Sequence, residues 1–177
     1  MFIYNFSGHN LSSRRIMARF IKSYNFMKQI LLVLMIPIVF TACDAITGKE
    51  IGRLPVNRIS TDDNIVEKTL TLDLTRGQTI AIWSDMDMKY KGDVNLYFRL
   101  KVLKNGGLYS DIEFDPRQKN ITIGEIKKVI MDQTDWSYTG KNLEMEIDES
   151  GQYTFQAALF AYGGPIKIRE AEIILKK

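Results

Sequence analysis

The stretch Val94–Lys104, with the sequence VNLYFRLKVLK, decides the fold of this chain. Every second residue is apolar, and the apolar set is Val94, Leu96, Phe98, Leu100 and Val102. The residues between them are mainly polar or charged. Because side chains of a β-strand point alternately to opposite faces, this pattern predicts a strand with one face in a core and one in water. The following Asn105-Gly106-Gly107 tolerates positive φ angles and predicts a hairpin.

The same two-residue period recurs over residues 65–177. The residues expected to point inward are Leu70, Leu72 and Leu74; Ile80 and Ile82; Leu143, Met145 and Ile147; and Tyr153, Phe155, Ala157, Leu159 and Ala161. Glycine-containing turn signals separate these segments at intervals of roughly 8–12 residues. The pattern predicts seven to nine strands in a single antiparallel β-sandwich, either jelly-roll or immunoglobulin-like.

Three segments interrupt the regular alternation. The parity of the last strand changes between Ile168 and Ala171, which predicts a β-bulge near Arg169-Glu170. Asn120–Asp132 has mixed spacing and is expected to be a strand followed by either a helical turn or a second strand. Asp85–Asp93 and Gln133–Lys141 are polar enough to predict loops.

A different signal comes before the sandwich, at Met27–Cys43. Lys28 precedes Ile30–Phe40, an apolar run of 11 residues that Pro37 interrupts. Spanning a membrane as a helix needs about 20 apolar residues. The run instead has the length of a secretory signal sequence, and the small residues that follow it are typical of a cleavage site.

The tetrapeptide Phe40-Thr41-Ala42-Cys43 resembles the lipobox of bacterial lipoproteins, with Phe in place of the commonest Leu. The resemblance implies a diacylglycerol thioether on Cys43, cleavage before this residue and acylation of the new amine, for example with palmitate. This covalent lipid is the only non-protein group expected. Asp44 alone is a weak surface-export cue, so we expect attachment to the periplasmic face of the outer membrane.

These signals divide the chain into four parts. Residues 1–26 are an upstream extension or a mis-assigned start, with translation expected to begin at Met27. Residues 27–42 form the signal peptide, and 43–64 form the lipidated cysteine and a linker, in which Val56 and Ile59 are able to pair at a sheet edge. Residues 65–177 form the β-sandwich domain.

Composition excludes several kinds of chemistry after Cys43. The only histidine is His9 and the only cysteine is Cys43. The mature domain therefore lacks a Cys nucleophile, a disulfide and every histidine-based catalytic arrangement. Five of the 24 basic residues precede position 44, which leaves 19 against 21 acidic residues. This balance excludes the basic surface that nucleic-acid binding requires, and we expect a protein that is not an enzyme.

Three carboxylates, Asp85, Asp87 and Asp93, fall within one expected loop. Calcium prefers several oxygen ligands from such a loop, but the spacing lacks the glycine and the glutamate of an EF-hand. The solvated acidic loop is therefore the expectation, with calcium only as the weaker alternative.

Four aromatic residues, Trp83, Tyr90, Trp136 and Tyr138, are expected at strand ends or in loops. They either close the ends of the core or stack on a ligand such as a sugar. We therefore expect a membrane-anchored, non-catalytic sandwich that binds another envelope protein, as an accessory subunit or an inhibitor. The alternative is a glycan-binding module that uses exposed tryptophan and tyrosine.

Overall fold

In the computed structural model, which describes residues 47–177, ten β-strands form the fold. The strands are β1 (Glu50–Pro55), β2 (Ile59–Ser60), β3 (Lys68–Leu74), β4 (Thr79–Lys91), β5 (Val94–Lys104), β6 (Gly107–Phe114), β7 (Ile121–Ile130), β8 (Gln133–Glu146), β9 (Gly151–Gly163) and β10 (Ile166–Lys176). The predicted upstream extension, signal peptide and lipidated Cys43 lie outside the described residues.

The strands form two sheets that pack face to face. The first sheet has the order β1-β10-β4-β8-β7, and the second has the order β2-β9-β5-β6. Strand β3 also pairs with β9, along the same side of β9 as β2 and opposite to the side that pairs with β5. Every pairing is antiparallel except the two-residue contact of β2 with β9. The predicted all-β sandwich is confirmed, and eight of the ten strands, β3 to β10, fall within residues 65–177, where seven to nine were predicted. Its strand order differs from that of immunoglobulin constant domains, in which the first, second, fifth and fourth strands form one sheet.

The core lies between the sheets and consists of the residues that alternate inward. Phe98, Leu100 and Val102 of β5 are fully buried, as the alternation predicted. Tyr153, Phe155, Ala157 and Leu159 of β9 are equally buried. These two strands lie side by side at the centre of the second sheet, so they bring the longest apolar stripes of the sequence together.

The predicted linker is partly wrong. Glu50–Pro55 is strand β1, paired with β10, and Leu54 and Val56 on this segment are only 1% and 2% exposed. The pairing expected near Ile59 is present in β2. The sequence shows no period here because short edge strands bury one or two side chains, which is too few to create an alternating pattern.

Both predicted polar loops are strands for most of their length. Asp85–Lys91 continues β4, which pairs on both sides, and Gln133–Lys141 is the first part of β8. Their polar residues occupy the solvent face and their apolar residues the core face. A strand that pairs on both sides is stabilised by its neighbours, so a polar outer face does not end it.

The ambiguous segment Asn120–Asp132 contains strand β7. Gly124 has a φ of 62°, and the register with β8 shifts between Ile123 and Ile126. This bulge adds one residue and changes the parity of the isoleucines, which gave the sequence its helix-like spacing. The predicted bulge in the last strand is confirmed by a register shift between Ile168 and Glu170. Over residues 47–177, no helix is long and apolar enough to cross a membrane.

Candidate functional site

Trp83 does not offer a face for stacking. Its side chain is 1% exposed and lies opposite Ile174, which is 2% exposed, on the outer face of the first sheet. The Nζ atom of Lys176 lies 4.6 Å from the centre of the indole. Among the described residues, the indole Nε1 has no hydrogen-bond partner. The predicted stacking role of Trp83 therefore lacks the exposed ring that it requires.

Trp136 and Tyr138 are also buried, at 8% and 2% exposure, on the core face of β8. Their ring centres are 5.0 Å apart and tilted by 52°. Burial raises the pKa of Tyr138, whose hydroxyl has no partner among the described residues. Tyr90 is partly buried against the core. Of the two readings left open by the sequence, burial fits core packing for Trp136 and Tyr138, which belong to the core cluster. Trp83 is buried on the outer face instead, so none of these three rings is exposed for stacking.

The three predicted calcium ligands are not brought together. Asp85 and Asp87 share the outer face of β4, whereas Asp93 lies in the turn before β5. Arg169 forms an ion pair with Asp87. Thr139 donates a hydrogen bond of 3.2 Å to Asp85. The two strand carboxylates are therefore already engaged by neighbouring side chains.

A different carboxylate group does form on this face. Oxygen atoms of Asp85, Glu170 and Glu172 lie within 4.8 Å of one another. Burial, together with the negative charges of Asp85 and Glu172, raises the pKa of Glu170. Arg53 forms an ion pair with Glu172 and lies 3.8 Å from Asp85. The positive charge of Arg53 therefore already balances part of the negative charge of these three carboxylates.

Among residues 47–177, the largest group of exposed apolar side chains is on β7 and its turn. The group consists of Ile121, Ile123, Ile126, Val129, Ile130 and Met131, with exposures between 41% and 94%. Every residue of β7 is exposed. We call this strand and its free side the β7 edge. Exposed apolar residues are common singly, but a contiguous group is typical of an interaction surface.

The position of β7 in the fold explains its exposure. It is the last strand of the first sheet, and it shares extensive contacts only with β8 among the described elements. One backbone side pairs with β8, and no described strand pairs with the other. An unpaired strand side presents N–H and C=O groups that are able to bind another strand.

The faces of β7 differ in chemistry. In antiparallel pairs, residues directly opposite share a face. Lys127 and Val129 lie opposite Trp136 and Thr134, which are buried, so these two side chains are on the core side. The other side of the sheet carries the isoleucine row Ile121, Ile123, Ile126 and Ile130, which lie opposite Lys141, Thr139, Ser137 and Gln133.

A polar cluster fixes the core side of β7 against β8. The indole Nε1 of Trp136 donates to Glu125 at 2.7 Å, and Lys119 donates to the same carboxylate at 2.9 Å. The Nζ atoms of Lys119 and Lys127 lie 4.8 and 4.0 Å from the indole centre. Hydrogen bonds from Lys119 and Trp136 lower the pKa of Glu125. The exposed strand is therefore held in one register by cation–π contacts and charge-assisted hydrogen bonds.

A group of stacked aromatic rings lies on the outer face of the second sheet, and one of the three rings is exposed. Tyr97 packs parallel to Phe160 with ring centres 5.1 Å apart, and Tyr162 lies 6.1 Å from Tyr97. Tyr162 is 43% exposed and donates a hydrogen bond to Asp62. A hydrogen bond with Tyr97 is the main cause, and burial the second, of a rise in the pKa of Tyr162 to about 12. We call Tyr97, Phe160 and Tyr162 the outer aromatic cluster.

The sequence contained partial signals for both surfaces. Tyr97 was expected on the outward face of its strand, and Phe160 and Tyr162 share the outward parity of β9. The isoleucines of β7 were recognised as apolar, but their exposure depends on the strand order. No protein-family model matches this chain, and a search of curated proteins found no match.

Proposed function

We propose that this chain is a lipid-anchored, non-catalytic protein of the bacterial envelope, and that its sandwich binds another envelope protein through the β7 edge. The observation that carries the proposal is the group of six exposed apolar side chains, five on β7 and one in its turn, on a strand that pairs with a described strand on one side only. Leaving these side chains in water forgoes the free energy of their burial, which is about 25 cal/mol per Å². Binding of a partner would recover it.

The β7 edge is suited to strand addition. A partner strand would supply hydrogen bonds to the free backbone groups, and its alternate side chains would pack on the isoleucine row. The polar cluster around Glu125 and Trp136 holds β7 in place before binding, which lowers the entropy lost on association. The lipobox motif that ends at Cys43 would place this surface at the membrane, and the absence of His and Cys after that residue supports binding rather than catalysis.

An affinity pull-down after crosslinking in cells tests the protein-binding part. The tagged, membrane-anchored chain is expected to recover a stoichiometric envelope protein that mass spectrometry identifies, either a different protein or an untagged copy of this chain. Ile126→Lys should abolish recovery, because Ile126 is 70% exposed at the centre of the β7 edge. Leu108→Lys is the matched control, since Leu108 is 66% exposed on the edge of the other sheet. Equal loss in both variants would contradict a role specific to β7.

The membrane anchor has its own test. Cys43→Ala should release the chain from the membrane fraction, because two or more acyl chains are what makes lipid anchoring stable. Mass spectrometry of the N-terminal peptide should detect the lipid in the chain that retains Cys43 and not in the Cys43→Ala variant. A Cys43→Ala chain that stays membrane-bound, with no lipid mass in either chain, would refute acylation.

The outer aromatic cluster favours glycan binding as a second candidate. Aromatic rings bind the apolar faces of sugars, and Tyr162 has an exposed side chain beside the carboxylate of Asp62. Retention on immobilised envelope polysaccharide should fall for Tyr162→Ala and stay unchanged for Tyr90→Phe, which leaves the cluster intact. Retention that is equal in all three chains would exclude this surface.

A further inference from the structure

We propose that the β7 edge pairs with the β7 edge of a second copy of this chain, antiparallel and around a two-fold axis at Ile126. The proposal rests on the proposed function, because it names the protein that occupies the same surface. Pairing at this edge would join the five-stranded first sheet of one copy to that of the other, which gives one continuous ten-stranded sheet. The two interacting surfaces would be identical, as a two-fold symmetric interface requires.

The sequence of β7 is complementary to its own reverse once the bulge is included. With Ile126 opposite Ile126, Glu125 of one copy lies opposite Lys127 of the other. Gly124 is the extra residue of the bulge, so it has no counterpart. Beyond it, Ile123 meets Lys128, Thr122 meets Val129 and Ile121 meets Ile130.

This register keeps every pair on a common face. Ile121, Ile123, Ile126, Lys128 and Ile130 lie on the outer side of the sheet, and Thr122, Glu125, Lys127 and Val129 lie on the core side. Without the bulge, residues on either side of Gly124 would pair core side against outer side. The left-handed Gly124, at a φ of 62°, therefore makes the strand self-complementary along its whole length.

Charge complementarity favours a second copy over a strand of unrelated sequence. The axis creates two Glu125–Lys127 pairs, one on each side of Ile126, and oppositely charged residues that lie directly opposite stabilise antiparallel strands. Glu125 already accepts hydrogen bonds from Lys119 and Trp136, and the resulting low pKa keeps it ionised. The alkyl part of Lys128 would cover Ile123 of the second copy while its ammonium group stays in water.

In this arrangement the lysines of β7 select the pairing register instead of preventing pairing. Lysines and bulges on edge strands commonly prevent pairing with other chains. Here the bulge sets the register, and among antiparallel pairings Lys127 has an acidic counterpart in this register. An in-register parallel pairing, or an antiparallel shift by two residues that places Lys127 opposite Lys127, would bring like charges together. The pattern thus selects one dimer and disfavours open-ended stacking.

A disulfide at the axis tests the register directly. In the full membrane-anchored chain, Ile126→Cys places two thiols on directly opposite residues, whose Cα atoms lie about 4.5–5.5 Å apart in antiparallel pairs. This separation permits a disulfide. Oxidation of intact cells with copper phenanthroline should convert most of the chain to a reducible species of twice the mass. The unmodified chain, with Cys43 as its only cysteine, gives the background.

Lys128→Cys is the matched control, since it lies on the same strand and the same face. In the proposed register its two copies are about four residue steps apart, or roughly 13 Å at about 3.3 Å per residue, which is too far for a disulfide. Crosslinking should therefore stay at background. Equal crosslinking of Ile126→Cys and Lys128→Cys, or none with Ile126→Cys, would overturn the proposal.

Charge reversal gives a second, independent readout. In the Ile126→Cys background, Lys127→Glu should lower the dimer yield several-fold because it places two glutamates opposite each other. Adding Glu125→Lys exchanges the two charges and should restore part of the yield; the recovery is partial because the change also removes the hydrogen bonds that Glu125 accepts from Lys119 and Trp136. Yields that do not respond to either change would reject the pairing. Capture of a different protein that depends on Ile126, without a crosslinked dimer, would also overturn it while leaving the proposed function in place.

Discussion

Replacing Leu54 with alanine tests whether the segment before residue 65 is part of the sandwich. Leu54 is 1% exposed and pairs across β1–β10 with Ile173, which is fully buried. The change removes three carbon atoms, which corresponds to about 2.4 kcal/mol at about 0.8 kcal/mol per buried CH₂. The remaining cavity increases the loss, so we expect the free energy of unfolding to fall by about 3 kcal/mol.

Equilibrium unfolding in urea measures this change through the fluorescence of Trp83 and Trp136, both of which are buried. With a urea dependence of about 2 kcal/mol per M, the unfolding midpoint should shift down by about 1.5 M. Ile65→Ala is the control, because Ile65 is 50% exposed and its truncation should change stability by no more than about 0.5 kcal/mol.

The outcome separates a strand from a spacer. If residues 50–55 were a mobile linker, Leu54 would be solvated in both the folded and the unfolded states, and its loss would leave the midpoint unchanged. A Leu54→Ala midpoint equal to that of Ile65→Ala would therefore refute the assignment of β1 to the sandwich. It would also refute the burial of Leu54 against Ile173.

Three further changes have defined outcomes. Acrylamide should quench the fluorescence of Trp83 and Trp136 several-fold less than that of free N-acetyltryptophanamide, because both indoles are buried; equal quenching would contradict this. Glu170→Gln should raise stability near pH 7 and lose this effect below about pH 4. The raised pKa of Glu170 penalises the folded state only where the carboxyl is ionised, and chemical unfolding at the two pH values measures the difference. Gly164→Ala should destabilise the fold by more than about 2 kcal/mol, since its Cβ would overlap the carbonyl oxygen of Lys91; an unchanged melting temperature would contradict that overlap.

The core could be read from the sequence because its signal is local. The central strands β5 and β9 alternate inward apolar residues with outward ones, and the face of a side chain in a strand follows from its parity alone. Phe98 and Phe155 were therefore assigned to the core without knowledge of the strand order, and both are fully buried. The bulge near Arg169 was predicted in the same way, because only an extra residue reconciles the two parities of the last strand.

The candidate site could not be read in this way because exposure depends on neighbours. Ile126 and Phe98 belong to equally apolar segments, yet one is 70% exposed and the other is fully buried. The difference arises because β7 lies at the end of its sheet, whereas β5 pairs on both sides. Trp83 is a second example: the sequence left open whether it closes the core or stacks on a ligand, and only the packing shows that it is 1% exposed.

The sequence by itself determined the fold class, the inward faces of β5 and β9, and the absence of His and Cys after residue 43. The tertiary structure alone decided which strand became an edge, that residues 50–55 join the sheet, and that the glycine of β7 produces a bulge. The physical reason is that parity along a strand is set by backbone geometry within a few residues. Strand order is set by hydrogen bonding between segments that lie far apart in the chain, and no local pattern encodes it.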